Sequence, residues 1–480
     1  MRWRVTVMDD ITTAPAPVPD NEQSKPKKAE PKEDPVATRE RELEAELAEV
    51  NAAIDVSQFN EMTIDDVMEV LSLTIKDDNE NKAIGFLGML SAYTSEDQIN
   101  ISFNAQSSSG KTYLTSEIAK LFPDVDKVPL SGASPTSFFY SRGVDDPERG
   151  AKVVSLERKI LLLYEQPNPL LQEKLRALLS KDDRELHYKM TNKNKGSNRT
   201  EHIILRGFPA TVFCSANMLL DEQEATRFLL LSPEVSEAKL SSAVHLEVRR
   251  GADRKAFKEW LDGQPSRAEL IQRIIAIRFE HVDSIVVPSK EAIEKRFRNA
   301  FPRLKPRHSR DVRHLMELIK AIALLNVWFR KQPDGTIMAS QSDIDQAFRL
   351  WGAIATSQNL NVPPAVLHFY KKYILPAWND KYRHEKADMD RGSIGLSRQD
   401  LSSYYLRIEN ALMDDERLRK QILPLLENSG FLIQKQPEIG DKRSQHIYIK
   451  VFLDEQGNLI INNIGDGGVG GKPLSSWGKW

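Results

Sequence analysis

Cysteine is nearly absent from the chain, long apolar runs are missing, and neither sign of charge is in surplus. Each lack removes a class of protein. A single cysteine, Cys214, among 480 residues leaves no disulfide framework and no metal cluster built on thiolates, and it fits a reducing cytoplasm. No apolar stretch approaches the ~20 residues of a membrane-spanning helix. The opening MRWRVTVMDD is basic but lacks the apolar segment of a secretory signal. Lys and Arg number 67 against 69 Asp and Glu, a net charge of −2. Overall charge therefore says nothing about a polyanionic partner, and any such surface must be local. What is present is a 40% hydrophobic fraction, enough for ordinary cores, in a chain long enough for two to four domains.

Residues from about Ile11 to Pro35 are rich in Pro, Lys, Glu and Ala and read as a disordered leader. Ala37–Ala53 has strong helix formers and suits a short solvated helix, so residues 1–60 form one unit. Order begins near Met62, where two segments have helical apolar spacing. The strands INISFNA, VDKVPLSG, RKILLLYE and PATVFCSAN then alternate with helices beginning in SSSGKT and LLQEKL. This alternation predicts an α/β core with a parallel sheet over residues 61–240. ELHYKMTNKNKGSNRTEHIILRG reads as a long β-hairpin with a basic tip, and TSFFYSRG as a short helix. Residues 241–380 are almost wholly helical in pattern and predict a helical lid region. Residues 395–455 give two helices followed by two strands, a winged-helix pattern, and the Gly-rich tail 464–480 reads as flexible.

The strongest chemical signal is Ala105-Gln106-Ser107-Ser108-Ser109-Gly110-Lys111-Thr112, between a strand and a helix. A phosphate loop needs small residues so that backbone N–H groups can wrap the β-phosphate, and a helix N-terminus to add positive potential. It also needs a lysine for the β- and γ-phosphates and a hydroxyl for Mg²⁺. Only the first glycine of the pattern is missing, replaced by Ala105.

A second strand end, Ile160–Leu163, leads into Tyr164-Glu165-Gln166, where an acid pair is usual and one acid is present. Two registers stay open. Glu165 is the catalytic glutamate with Tyr164 in the metal position, or Glu165 serves the metal and Gln166 orients the water. Asn217 ends a third buried strand and suits the holding of an attacking water, although asparagine there is often a turn former. Arg227, in Ala225-Thr-Arg-Phe228, could reach a neighbour's γ-phosphate or make a surface salt bridge. The basic run from Lys295 to Arg313 reads first as a solvated face, of which one member could reach nucleotide. Lys189, Lys193, Lys195 and Arg199 around the hairpin tip suit contacts to a phosphate backbone without base readout.

The order of these elements resembles the AAA+ module of the minichromosome maintenance (MCM) helicases, and more closely the MCM-like ATPases of mobile elements and small bacterial genomes. The similarity covers roughly Met62 to Gln358. SSSGKT resembles the Walker A loop, LLLYEQP the Walker B strand, and CSAN…ATRF the sensor-1 strand and arginine-finger motif. The hairpin Glu185–Arg206 sits where that family has its channel-facing hairpin. On this register Arg313 is the sensor-2 candidate and Arg310 the second choice. The family's N-terminal DNA- and zinc-binding region has no counterpart in the leader.

The resemblance implies ATP and Mg²⁺ as cofactors and a ring, expected to be hexameric, around single-stranded DNA. It implies a replicative DNA helicase, with ATP between Lys111 and Thr112 of one subunit and Arg227 of the next. The alternative is an ATP-gated DNA-binding switch or loader without processive unwinding, which the Tyr164 departure favours. A protein-threading chaperone is the third reading. It needs an aromatic pore loop, and Tyr188 is the one aromatic near the basic tip.

Overall fold

Side-chain alternation decides how the central strands are covered. The computed structural model describes residues 35–130, 143–165, 169–192, 199–216, 226–301, 304–385, 394–437, 444–453 and 459–461. The expected leader before residue 35, the TSFFYSRG helix and the Gly-rich tail lie outside the described residues. In chain order the strands of the first half are β1 (Asn100–Asn104), β2 (Lys127–Leu130), β3 (Val144–Asp146), β4 (Ala151–Ser155), β5 (Ile160–Leu163), β6 (Glu185–Asn192), β7 (Arg199–Arg206), β8 (Ala210–Ser215) and β9 (Leu229–Leu231). Five of them form an all-parallel sheet in the order β2-β5-β8-β1-β9. The fold is α/β, as the strand–helix alternation implies.

Successive strand side chains point to opposite faces. Ile160 and Leu162 accordingly join the large apolar cluster on one face, and Leu161 and Leu163 join a smaller one on the other. The large cluster holds the helices Asn79–Leu90, His308–Leu325 and Gln341–Leu360; the small one holds Leu175 and Leu178 of the helix Pro169–Ser180. Burial on both faces explains the unbroken ILLL run. On β1 the second face is polar yet buried, and Asn100 Nδ2 donates to Leu179 O at 3.0 Å.

A second sheet, β3-β4-β7-β6, carries the expected hairpin, with β6 and β7 antiparallel in register from Glu185↔Arg206 to Asn192↔Arg199. The strands β3 and β4 were not legible in the sequence. The turn after β7 needs Gly207: its φ is +90°, and a Cβ there would lie 2.8 Å from Glu157 N.

The region from Ala243 to Trp378 differs from the expected all-helical subdomain. A short parallel pair, β10 (Ile285–Val286) with β11 (Ile337–Met338), interrupts it. The helices Pro265–Phe279, His308–Leu325 and Gln341–Leu360 share one continuous apolar cluster with the sheet. Helical periodicity locates an apolar stripe but does not say what the stripe covers. Ser340 and Asp343 form a capping box at the start of the last of these helices. Near its end Gln358 pairs with edge strand β9: its Oε1 accepts from Leu230 N at 3.3 Å and its Nε2 donates to Leu230 O at 2.8 Å. The side chain thus covers an otherwise open sheet edge.

A second apolar cluster runs from Val362 to Phe452. It unites the helix Arg398–Glu409, the helical stretch Asp415–Asn428 and the antiparallel pair β12 (Leu432–Lys435) and β13 (His446–Ile449). Ser232 ties this body to the sheet, donating to Asn104 O at 2.6 Å and accepting from Ala365 N at 3.1 Å. Among the described residues no helix is long and apolar enough to cross a membrane.

Candidate functional site

Between the neighbouring strands β8 and β1 the connections diverge: from the carboxyl end of β1 the chain runs to β2 at one edge of the sheet, and from that of β8 it runs past β1 to β9 at the other. In open α/β sheets the ligand crevice lies outside such a point. The segment leaving β1 there is Ala105–Gly110, followed by the helix Lys111–Ala119. Ser108 has φ +61° and Gly110 φ +89°, so the loop reverses twice within three residues. Gly110 provides no side-chain cap, and Leu114 N donating to Gly110 O at 2.9 Å is the first helical bond. The N–H groups of Lys111, Thr112 and Tyr113 therefore have no intrahelical acceptor. Together with the helix dipole they make a positive, donor-rich end.

Lys111 is buried beneath this loop, its Nζ donating to Ala105 O at 2.7 Å and to Gln106 O at 2.6 Å. Burial holds its ammonium below the usual lysine pKa, and the nearby Arg417 guanidinium adds to that. Gln106, Ser107, Ser108 and Thr112 are exposed, whereas Ser109 is buried. The loop thus presents backbone, hydroxyls and a desolvated cation to one small space.

Strand register brings the second motif to the same edge. Leu163 pairs with Phe213, and Ser215 with Asn104. Carried two residues beyond β5, this register sets exposed Glu165 level with Ser215 and with the last residue of β1. Tyr164, which precedes Glu165, packs half-buried against the large apolar cluster. Gln166 and Asn217 lie outside the described residues. No group of three or more His, Cys, Asp and Glu side chains among the described residues could hold a metal by itself. One threonine hydroxyl and one carboxylate are a set that fits Mg²⁺ only when phosphate oxygens and water complete it.

Beside the loop is a cavity of about 190 Å³, lined by apolar Ile75, Tyr113, Leu114, Leu240, Ala243 and Leu246, by charged Asp78, Glu234, Lys239 and Glu247, and by Ser108–Gly110 of the loop. Tyr113 Oη donates to Thr74 O at 2.7 Å, and Arg250 Nη2 donates to Tyr113 Oη at 3.3 Å and to Glu117 Oε1 at 3.2 Å. Those bonds hold the helix Glu237–Ala252 against the helix that carries Lys111. Burial and the Glu117 carboxylate push the Tyr113 phenol up to about 12. A largely apolar cavity of this kind suits a planar apolar ring more than a charged group. The sequence did not reveal it, because its walls come from three separate segments.

Arg227 and Arg313 are elsewhere. Both line a hollow of about 120 Å³ with Arg310, Lys181, Gln98 and Asn100. Gln98 and Asn100 mark the amino end of β1, so the hollow is at the opposite end of the parallel strands from Lys111, roughly 20 Å away over the stretch from Gln98 to Asn104. Arg227 Nε donates to Ser180 Oγ at 2.5 Å, and Arg310 donates to the Thr226 hydroxyl. Lys181 pairs with buried Glu317, which also accepts from His314 Nδ1 at 3.0 Å. Against the effect of burial, the His314 bond and the Lys181 charge hold Glu317 below the usual carboxylate range. Arg313 itself is exposed. Within one chain, then, neither arginine reaches the Lys111 loop.

On the hairpin Lys189 is exposed and paired across the strands with His202. Lys193 and Lys195 lie outside the described residues, as does the side chain of Arg199, which opens β7. Tyr188 is half-buried against the small apolar cluster. Comparison with protein-family models and with curated proteins gives no match for this chain.

Proposed function

We propose that the chain is a P-loop ATPase of the AAA+ type, working as a ring-forming, DNA-dependent ATPase and replicative DNA helicase. The observation that carries this reading is the division of the cations. Lys111 stands beyond the carboxyl end of the parallel strands, and Arg227 and Arg313 share a hollow at their amino end. This division suits a phosphate site completed when the amino-end face of one subunit meets the loop of the next, a head-to-tail interface that forms a ring where the rotation between subunits closes.

In that arrangement the amides from Gln106 to Thr112 bind the phosphates, Lys111 neutralises the β- and γ-oxygens, and the cavity beside Tyr113 takes the base. Mg²⁺, if bound, would be held by the Thr112 hydroxyl with Glu165 nearby and would neutralise charge on the phosphates. Glu165 either accepts the proton of the attacking water or serves the metal while Gln166 orients that water. Asn217 steadies the water. The neighbour's Arg227 and Arg313 meet the charge that develops on the terminal phosphate, a contribution of about 10³–10⁵ in rate for arginines so placed. Lys189, Lys193, Lys195 and Arg199 contact the phosphates of single-stranded DNA in the channel. The helices after Glu237 stand for the lid and the C-terminal body for the winged helix.

A threading chaperone is disfavoured, because half-buried Tyr188 is not displayed as a pore aromatic. A DNA-loading switch is the second reading, supported by Tyr164 in place of an acid. Steady-state hydrolysis with and without single-stranded DNA separates the two. The motor reading requires stimulation by DNA, and turnover indifferent to DNA removes it.

A further inference from the structure

The C-terminal body reaches the phosphate loop directly. Arg417, 311 residues from Gln106, donates from Nη1 to the Gln106 side-chain oxygen. Its position is firmly set. Asp414 caps the turn by accepting from Arg417 N at 3.0 Å, and Leu418, Ile422 and Leu423 anchor the following helical stretch in the C-terminal core. The body is also fastened to the end of β1 through Ala365 and Ser232. Two cations thus converge on one short loop. Lys111 Nζ lies beneath it on the Ala105 and Gln106 carbonyls, and the Arg417 guanidinium meets it from outside. Their mutual repulsion contributes to lowering the Lys111 pKa. Like charges this close favour an anion between them.

The position along the loop tells which part of a nucleotide is read. A phosphate-loop lysine reaches the β- and γ-phosphates, and Lys111 extends to the beginning of the loop, at Ala105 and Gln106. Gln106 therefore marks the terminal-phosphate end, and the base cavity near Tyr113 marks the other. We propose that Arg417 binds the terminal phosphate of ATP in its own subunit, exchanging the Gln106 amide for a phosphate oxygen. The seating of the C-terminal body on the sheet thereby reports whether that phosphate is present. The inference rests on the ATPase reading above but adds a residue from outside the α/β core. Neither the motif spacing nor the neighbour's arginines include it.

The test is affinity for a non-hydrolysable ATP analogue and for ADP, each with magnesium, by calorimetry on the full chain. Wild type is compared with Arg417→Ala, Arg417→Lys and the control Arg419→Ala, whose guanidinium pairs with Asp415 at 2.9 Å. Loss of a charge-assisted phosphate bond predicts about tenfold weaker analogue binding for Arg417→Ala and ADP affinity within about twofold. Lysine should recover part of the loss, and Arg419→Ala should change neither affinity. Unaltered ADP binding also shows that the alanine variant is folded. An analogue-to-ADP affinity ratio unchanged in Arg417→Ala overturns this inference and leaves the ATPase reading standing. A wild-type chain that binds neither nucleotide overturns both.

Discussion

Arg227 and Arg313 line a single hollow where β1 begins, although they stand 86 positions apart in the sequence. Lys111 stands where the same strand ends. That opposition makes a prediction about mixtures. Lys111→Ala and Arg227→Ala should each be inactive alone. Mixed in equal amounts, they should regain hydrolysis, because some interfaces then pair an intact loop with an intact arginine. Random assembly gives about a quarter of wild-type interfaces, as expected of head-to-tail contacts. A mixture as inactive as its components would place both residues in one subunit's site.

Gly110 offers a test of the loop's shape. Its φ of +89° is costly for any residue with a Cβ, yet a Cβ there would meet nothing within 4 Å. Gly110→Ala therefore acts through backbone strain rather than collision, at about 1–2 kcal/mol. The expected result is a loss of ATP affinity by a factor of roughly 5–30, read by titration with a fluorescent nucleotide. Unaltered affinity would mean that the left-handed turn is not needed for binding.

Filling the cavity beside Tyr113 separates base from phosphate recognition. Ala243→Phe places a ring in the slot while leaving the loop untouched. ATP affinity should fall about tenfold, or ~1.4 kcal/mol, with inorganic tripolyphosphate bound as before. Equal loss for both ligands would show that the substitution disturbs the loop instead.

The loop and its helix were legible in the sequence because a Ser- and Gly-rich turn between an apolar strand and a helix is a local pattern at fixed spacing. Lys111, Thr112 and the ILLL strand could be placed for that reason. Other parts depend on contacts that spacing does not encode. The cavity beside Tyr113 draws on Ile75, Tyr113 and Leu240 from three segments. Arg417 was part of an ordinary amphipathic helix until the fold carried it to Gln106. The helices after Ala243 showed their apolar stripes, but not that the stripes cover the sheet itself. AKVVS, now strand β4, is too short a run to announce itself beside a glycine turn.

Lys82 gives a prediction about pH. It is fully buried, donating to Ser72 Oγ at 2.5 Å, and burial takes its ammonium down to about 8 from 10.5. Between those values the unfolded chain holds more protons than the folded one, so this group makes stability rise with pH across the window. Urea midpoints of wild type should gain on those of Lys82→Met from pH 8 to 10.5. A constant difference between the two would show that Lys82 titrates normally.

The claim underlying all of this is that the amides after β1, with Lys111, hold a triphosphate. Isothermal titration of the purified chain with ATP and magnesium measures it directly. The account predicts saturable binding by wild type, weakened about a hundredfold or more in Lys111→Ala, since charged hydrogen bonds of this kind contribute about 1.5–3 kcal/mol each. Absence of binding by the wild-type chain, or equal binding by the two proteins, would contradict it.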